Sequence, residues 1–363
     1  MWGGIALLAL YTVGNVYLFV RLWQSIAPLP VWLRVVIALL FWFAAAAMFL
    51  SFEIRNSGLP ESTIRSIFWV GTTWLVFLLY MVLATATMDL VRLFIPTLHN
   101  GFWYALLATT IVLIYGNINY RHPRVEHVTI DSEKLPAGDS YRIVLASDIH
   151  LGYGTTRSDL SRYVDMINRE QGDVVLIAGD LIDNSIRPVA TEDMCREFER
   201  IEAPDGIYLA PGNHEYISNI DSVAQYLRTT PIRLVRDSVV RLGNNITLIA
   251  RDDRSNRHRR SLKELSSEAG EQPIKVVLDH QPYDIATSDS LGLDLHLSGH
   301  THRGQVWPLS WLTDALYDQS HGYRQWSHTH AVVSSGLSLW GPPFRIGTRS
   351  DLYVIEIRGN SAE

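Results

Sequence analysis

Four stretches without a single charged side chain dominate the first third of the chain: Met1 to Val20, Val35 to Phe52, Ser66 to Met88 and Gly101 to Tyr120. A helix rises about 1.5 Å per residue, so each can cover most of the ~30 Å hydrocarbon core of a bilayer. The links carry helix-stopping residues: Ala27-Pro28-Leu29-Pro30, Asn56-Ser57-Gly58-Leu59-Pro60, and Ile95-Pro96-Thr97-Leu98-His99-Asn100. Trp2, Trp23, Trp32, Trp69 and Trp103 sit near the ends, as in an interfacial aromatic belt. The pattern predicts a transmembrane segment of four helices over residues 1–122. The first stretch lacks a basic leader and a small-x-small cleavage site, so it reads as a retained anchor and not a signal peptide.

Charge near these spans gives an orientation. Arg55, Arg65, Arg121 and Arg124 fall on one side with the second half of the chain, and Arg21, Arg34 and Arg92 on the other. The excess of arginine predicts a cytoplasmic second half, in a bacterial inner membrane. Asp89 and Arg92 close the third stretch at i, i+3 spacing, which predicts an ion pair on one helix face or a polar contact for a lipid headgroup.

The remainder of the chain is polar and charged. The net charge of −6 does not fit a nucleic-acid partner, which calls for a basic surface. The single cysteine, Cys195, excludes an intramolecular disulfide framework and a cysteine-based zinc site, and reads as a buried thiol. After a linker over 123–139, a domain is expected over 140–359. There, short apolar runs end in clusters of Asp, His, Asn and Gly: Tyr141 to Asp148, Asp173 to Asp180, Gly206 to His214, Ile274 to His280 and Leu293 to His300. Continuous apolar runs read as buried strands, and polar residues just past strand ends are where α/β folds build sites. Ser158 to Gln171 and Ser218 to Thr229 read as intervening helices, with Ser158 and Ser218 as N-caps.

Those clusters collect metal-ligand chemistry. Asp148-Ile149-His150 offers a carboxylate and an imidazole; Gly179-Asp180 offers a carboxylate able to bridge two ions. Gly212-Asn213-His214-Glu215 offers an amide oxygen and an imidazole, and His280, His300 and His302 complete the set. Mixed nitrogen and oxygen donors without sulfur suit Mn, Fe or Zn.

At these residues the sequence resembles the calcineurin-like metallophosphoesterases. Their blocks are Asp-x-His, Gly-Asp, Gly-Asn-His-Asp/Glu, a lone His and Gly-His-x-His, all present here in that order. Gly299 to Gln305 and Ser335 to Arg345 resemble a bacterial membrane-associated branch. The resemblance implies an α/β domain of two packed mixed β-sheets flanked by helices, holding two divalent metal ions. It assigns one ion to Asp148, His150, Asp180 and His302, and the other to Asp180, Asn213, His280 and His300. A bridging hydroxide would attack phosphorus, His214 would protonate the leaving oxygen, and Asp148 would orient His214. Arg345 would contact phosphate.

Departures from the family pattern are Arg303, where the branch has Gly, Ser338 in place of Gly, and Ser350-Asp351 in place of Pro-Glu. Arg303 could hold a second phosphate or a polar headgroup. His296 reads as a packed strand residue, and His321, His328 and His330 as surface groups. The arginine-rich run Arg251 to Arg260 reads as a solvated loop, or alternatively as a basic rim for anionic substrates. Val306 to Trp326, with Trp307, Leu309, Trp311, Leu312, Leu316, Tyr317 and Trp326, reads as a packed subdomain or an apolar rim facing a membrane. The expected function is a membrane-anchored phosphohydrolase acting on a phosphate ester or pyrophosphate, with a phospholipid or lipid-linked substrate. The alternatives are a phosphodiesterase for soluble nucleotides and a non-catalytic membrane sensor. The sequence gives no signal for oligomeric state.

Overall fold

The computed structural model describes residues 2–55, 57–243, 245–271 and 273–360. Met1, Asn56 and the side chain of Trp2, which enter the span, link and aromatic-belt expectations, lie outside the described residues. The chain divides into two compact units. One holds the residues up to Asn119 together with Gly341–Ile346; the other holds Tyr120–Trp340 and the residues from Gly347 onward.

The helical unit is built from α1 (Trp2–Ser25), α2 (Val31–Ile54), α3 (Glu61–Phe94) and α4 (Gly101–Tyr120). All four are long and apolar enough to cross a membrane. Their polarity is turned outside in: Leu10, Val13, Leu39, Leu40, Leu107 and Ile111 are exposed, whereas Asn15, Thr72, Thr85 and Thr109 are buried. Some polar groups of the bundle find partners across helices, as where Trp74 Nε1 donates to Asn15 Oδ1 at 2.9 Å and Tyr11 donates to the Ala45 carbonyl at 2.6 Å. The alanine run of α2 meets Gly71 of α3 so closely that a Cβ there would lie 2.2 Å from Met48 N, the small-residue contact typical of helices packed without a hydrophobic drive. At 34 residues α3 spans about 51 Å, so its ends reach beyond the expected Ser66 to Met88 stretch and carry Glu61, Arg65, Asp89 and Arg92. Asp89 does not pair with Arg92. It takes Arg21 of α1 at 2.7 Å and the Tyr17 hydroxyl at 2.6 Å, because those groups bring charge and donor from a neighbouring helix.

The second unit opens with β1 (Arg124–Ser132), β2 (Ser140–Ala146), β3 (Val174–Ala178), β4 (Ile207–Ala210) and β5 (Ile232–Leu234). It continues with β6 (Ser238–Arg241), β7 (Ile246–Ala250), β8 (Ile274–Leu278), β9 (Leu295–Ser298), β10 (Gly322–Gln325), β11 (His330–Val333) and β12 (Asp351–Gly359). They form two six-stranded mixed sheets, ordered β1-β12-β2-β3-β4-β5 and β10-β11-β9-β8-β7-β6. The strand β12 lies antiparallel to β2 with Ile355 opposite Ile143, and parallel to β1 with Ile355 opposite Val128. The expected linker over 123–139 therefore contains a strand. Val128 and Ile130 alternate with polar residues and bury one face on the shared core, a period-2 signal weak enough to pass for linker.

Alternation along each strand sorts the core. Ile143, Leu145, Leu176, Leu248, Val276, Leu278 and Leu297 fill the space where the two sheets face each other. Val144, Ala146, Val175 and Ile177 point the other way, toward α5 (Arg157–Arg169), α6 (Ile186–Thr191) and α8 (Ile220–Leu227); α7 (Asn213–Ile217) precedes α8 in the chain. On the second sheet Ile249 and Val277 pack under α9 (Leu262–Ala269). The remaining helices are α10 (Ile285–Ser290) and α11 (Leu309–Leu316). The caps differ from the expected serines. The N-cap of α5 is Thr156, closed by a capping box with Asp159, and that of α8 is Asn219, which accepts from Ser222 N. Ser218 instead ends α7. In each case a residue one or two places from the expected serine supplies the oxygen that the first turn needs.

Candidate metal centre

Five strands deliver the site. Past the ends of β2, β3, β4, β8 and β9 lie Asp148 and His150, Asp180 and Asp183, Asn213 and His214, His280, and His300 and His302. All seven expected ligands converge. His150 Nε2 lies 3.1 Å from His302 Nε2, and Asp148 Oδ1 lies 3.4 Å from His302 Nε2 and 3.8 Å from His150 Nε2. In the neighbouring cluster His280 Nε2 lies 3.1 Å from Asp180 Oδ2, 3.2 Å from His300 Nδ1 and 3.3 Å from Asn213 Oδ1. Asp180 Oδ2 is also 3.8 Å from His150 Nε2, so one carboxylate oxygen faces both clusters.

These donors fit a pair of cations. Two bonds of roughly 2.1 Å from one ion place neighbouring ligand atoms roughly 3.0–3.4 Å apart, the spacing seen here. His280 makes the case sharper. Its Nδ1 lies 2.7 Å from the Ala178 carbonyl, which can only accept, so Nδ1 carries the proton and Nε2 is left facing the Asp180 and Asn213 oxygens, which also only accept, and His300 Nδ1. One proton on Nε2 could serve only one of them; a cation serves all three. The carboxylates are buried, Asp148 wholly so. Burial pushes the Asp148 carboxyl up, while Asp180 is held well below its usual range because the neighbouring His280 and His214 imidazoles outweigh burial.

The backbone is strained to bring these groups together. Asp148, His150, Asp180, His300 and His302 all adopt left-handed φ between 47° and 72°. Such a conformation costs roughly 1–3 kcal/mol for a residue with a Cβ and persists where the surroundings over-determine it. The wall is built from backbone: a Cβ on Gly299 would lie 2.4 Å from Asp148 Oδ2. Glu215 ties the loops together, its carboxylate accepting from Asp180 N at 2.9 Å, Ile182 N at 2.9 Å and Gly212 N at 2.7 Å.

The carboxylate beside His214 is Asp183, not Asp148. Asp183 Oδ1 is 3.1 Å from His214 Nδ1 and 3.3 Å from His150 Nδ1. Asp148 is taken up by His302 and by the His300 amide at 3.0 Å. Asp183 escaped the sequence reading because it stands three residues past Gly179-Asp180; only its recurrence on the same strand-end loop could have flagged it. Burial opposes charge on His214, but the Asp180 and Asp183 carboxylates outweigh it and push its pKa up to about 9.

Arg303 follows His302 on the same turn, with its Nε shielded from solvent and without a hydrogen-bond partner. Arg345 is wholly buried. It belongs to Gly341–Ile346 of the helical unit, with its amide donating to the Gly116 carbonyl and its carbonyl accepting from Asn119. Ser338, in place of glycine, lies within hydrogen-bond distance of Thr155 and Tyr120.

The arginine-rich run is solvated only in part: Arg254, Ser255, Arg257 and His258 are exposed, but its first residues are buried. Arg251 is 4% exposed and binds Asp279 at 2.8 Å as well as Asp284; Arg259 reaches the same two carboxylates. Asp279, next to His280, is a buried carboxylate that needs cationic partners close by, and Arg251 and Arg259 fold inward to brace it. Arg254 stays outside, 4.4 Å over the Tyr283 ring. Tyr283 in turn meets Tyr317, whose ring lies 6.5 Å from His300. His296 is a buried strand residue between Ser288 and Ser298. Cys195 is buried, and burial pushes its thiol up to about 12.

Comparison with known proteins agrees with this geometry. The family model for calcineurin-like phosphoesterases matches residues 141–304. An uncharacterized metallophosphoesterase of Helicobacter pylori is 30% identical over 267 residues, covering 72% of this chain and 70% of the relative. The chain belongs to the calcineurin-like metallophosphoesterases. As a metallophosphoesterase it is a phosphoric ester hydrolase, and the family uses a dinuclear divalent metal site. A Campylobacter jejuni metallophosphoesterase is 27% identical over 97% of both chains, so that match runs through the four helices. A Danio rerio transmembrane protein with metallophosphoesterase domain is 34% identical over 70% of this chain and 62% of its own.

Proposed function

We propose that this metallophosphoesterase is a membrane-anchored phosphohydrolase of phospholipid or lipid-linked phosphate esters or pyrophosphates, held in a bacterial inner membrane with its catalytic unit on the cytoplasmic side. Asp148, His150, Asp180 and His302 would hold one divalent ion, and Asp180, Asn213, His280 and His300 the other. When bound, such a pair activates water at neutral pH and neutralises charge on the phosphoryl group. The chain's own residues do the rest. Asp183 holds His214 by Nδ1, which leaves Nε2 to give a proton to the leaving oxygen. Arg303 offers an unpaired donor beside the clusters for a phosphoryl oxygen.

The observation that carries the lipid reading is α11. A soluble helix buries its apolar side chains; this one does the reverse. Ser310 and Thr313 are 6% and 9% exposed, while Trp311, Leu312 and Leu316 are 66%, 58% and 67% exposed. Trp307 adds a ring 5.4 Å from Trp311. This apolar surface starts five residues after Gly304 ends the His302 turn, and Tyr317 at its far end faces His300. An exposed apolar patch beside a site marks an apolar partner, and a lipid tail supplies one while its phosphate reaches the ligands.

The test compares a soluble phosphodiester with a phospholipid in vesicles, using Trp311→Ser and Leu312→Ser in the reconstituted chain. The account expects KM for the lipid to rise about tenfold or more, with turnover of the soluble ester unchanged. Equal loss on both substrates, or no loss on either, contradicts it.

A further inference from the structure

One end of the helical unit holds a polar recess that phosphoester hydrolysis does not use. It lies where α1 and α3 finish and α4 begins, has a volume of about 210 Å³, and is lined by Arg21, Thr85, Asp89, Arg92 and His99. It shares Arg21, Asp89 and Arg92 with an adjoining open groove walled by Ala86, Leu90, Leu93 and Pro96.

The charges do not cancel. Asp89 is neutralised by Arg21 at 2.7 Å and capped by Tyr17 at 2.6 Å. Arg92 has no ion-pair partner among the described residues, so the recess carries an excess positive charge at the end of an apolar helix bundle. Thr85 is a second, independent sign. It is 2% exposed, and its Oγ1 has no hydrogen-bond partner. Thr72 and Thr87 on the same helix, and Thr110 on α4, give their hydroxyls to the carbonyl four residues back at 2.8 Å. Thr85 forgoes that bond and lines the recess instead. A buried donor left unmade is costly, and an acceptor in the recess removes the cost.

We propose that this recess binds the phosphate group of an anionic phospholipid. Arg92 and Arg21 supply the cationic donors, Thr85 a hydroxyl, and the groove along Leu90 and Leu93 takes an acyl chain. A buried hydroxyl and partly exposed arginines at the end of an apolar bundle, beside an apolar groove, match an amphiphile with one anionic oxygen cluster. The recess is lined entirely by residues of the helical unit, and the proposal does not depend on the substrate proposed for the metal centre.

The experiment uses the full chain in dodecyl maltoside, with phosphatidylglycerol titrated as short-chain micelles and inorganic phosphate titrated separately. Bound adducts are counted by native mass spectrometry. The expected result is one phosphatidylglycerol bound per chain, weakened about tenfold or more in Arg92→Gln and in Thr85→Val, and restored in Thr85→Ser. Elution volume and melting temperature in lipid-free detergent establish that each variant is folded. Thr85→Val has an opposite signature if the recess stays empty, because losing an unpaired hydroxyl then raises the melting temperature. Inorganic phosphate bound with the same dependence on Arg92, without lipid binding, supports the phosphate site and assigns it to free phosphate. Lipid binding indifferent to Arg92→Gln and Thr85→Val, or no binding of either probe, overturns the proposal.

Discussion

Asp183 and His214 form a buried carboxylate–imidazole pair, Oδ1 to Nδ1 at 3.1 Å, and the same oxygen reaches His150 Nδ1 at 3.3 Å. One carboxylate thus aims an imidazole at the first ligand cluster and another at the space beside it. Removing the charge while keeping the shape should disturb both.

Asp183→Asn is expected to lower kcat about 10–100-fold, the usual effect of losing a group that orients a ligand or acid. His214→Gln is expected to cost about 10²–10⁴-fold on an alkyl phosphoester, whose leaving oxygen needs a proton. On a nitrophenyl ester the loss should be much smaller, because that leaving group departs without one. Steady-state kinetics on the two esters reads the difference; equal losses on both would remove His214 from the acid role.

Gly299→Ala tests the walls of the site. The added Cβ would lie 2.4 Å from Asp148 Oδ2, well inside contact distance. The carboxylate must move from its place beside His302. Metal analysis of the purified variant should show about half the wild-type content or less, with circular dichroism unchanged. Wild-type metal content would show that the loop gives way without cost.

Asp284 gives a pH-dependent prediction away from the ligands. Burial opposes its charge, but hydrogen bonds and charge from Arg251 and then Arg259 outweigh burial and hold its carboxyl below the usual range. A depressed native pKa contributes stability that is fully present above the unfolded value of about 3.9 and is lost as pH falls through the native one. In the metal-free protein, Asp284→Asn should cost about 1–2 kcal/mol at pH 7, discounted because the side chain is 29% exposed. Denaturant titrations at pH 7 and in strong acid should show that difference closing at low pH. A constant difference across the range would contradict the ion-pair account.

The ligands were legible because each closes an apolar strand. Asp148, Asp180, Asn213 and His280 stand two or three residues past Ala146, Ala178, Ala210 and Leu278, and period-2 burial carries them to one edge of the sheets. The four apolar helices were legible for the same reason, a long uniform composition. What escaped depends on distant partners. Asp183 looks like any loop aspartate until His214 arrives from the next strand. The arginine run looks solvated until Asp279 and Asp284 come to meet it from other segments. Asp89 looks paired with its neighbour three residues on, yet Arg21 reaches it from another helix. The left-handed φ of the ligand residues has no sequence signal, since bulky side chains disfavour it and only the assembled site holds it.

The central claim is that Asp180 joins two ion sites in one catalytic centre. Metal content and turnover of the full chain, measured side by side for wild type and Asp180→Asn, test it most directly. The account predicts about two divalent ions per chain in the wild type, one or none in the variant, and a fall in kcat of at least about 10³-fold. An Asp180→Asn protein that keeps both ions and wild-type turnover would contradict it.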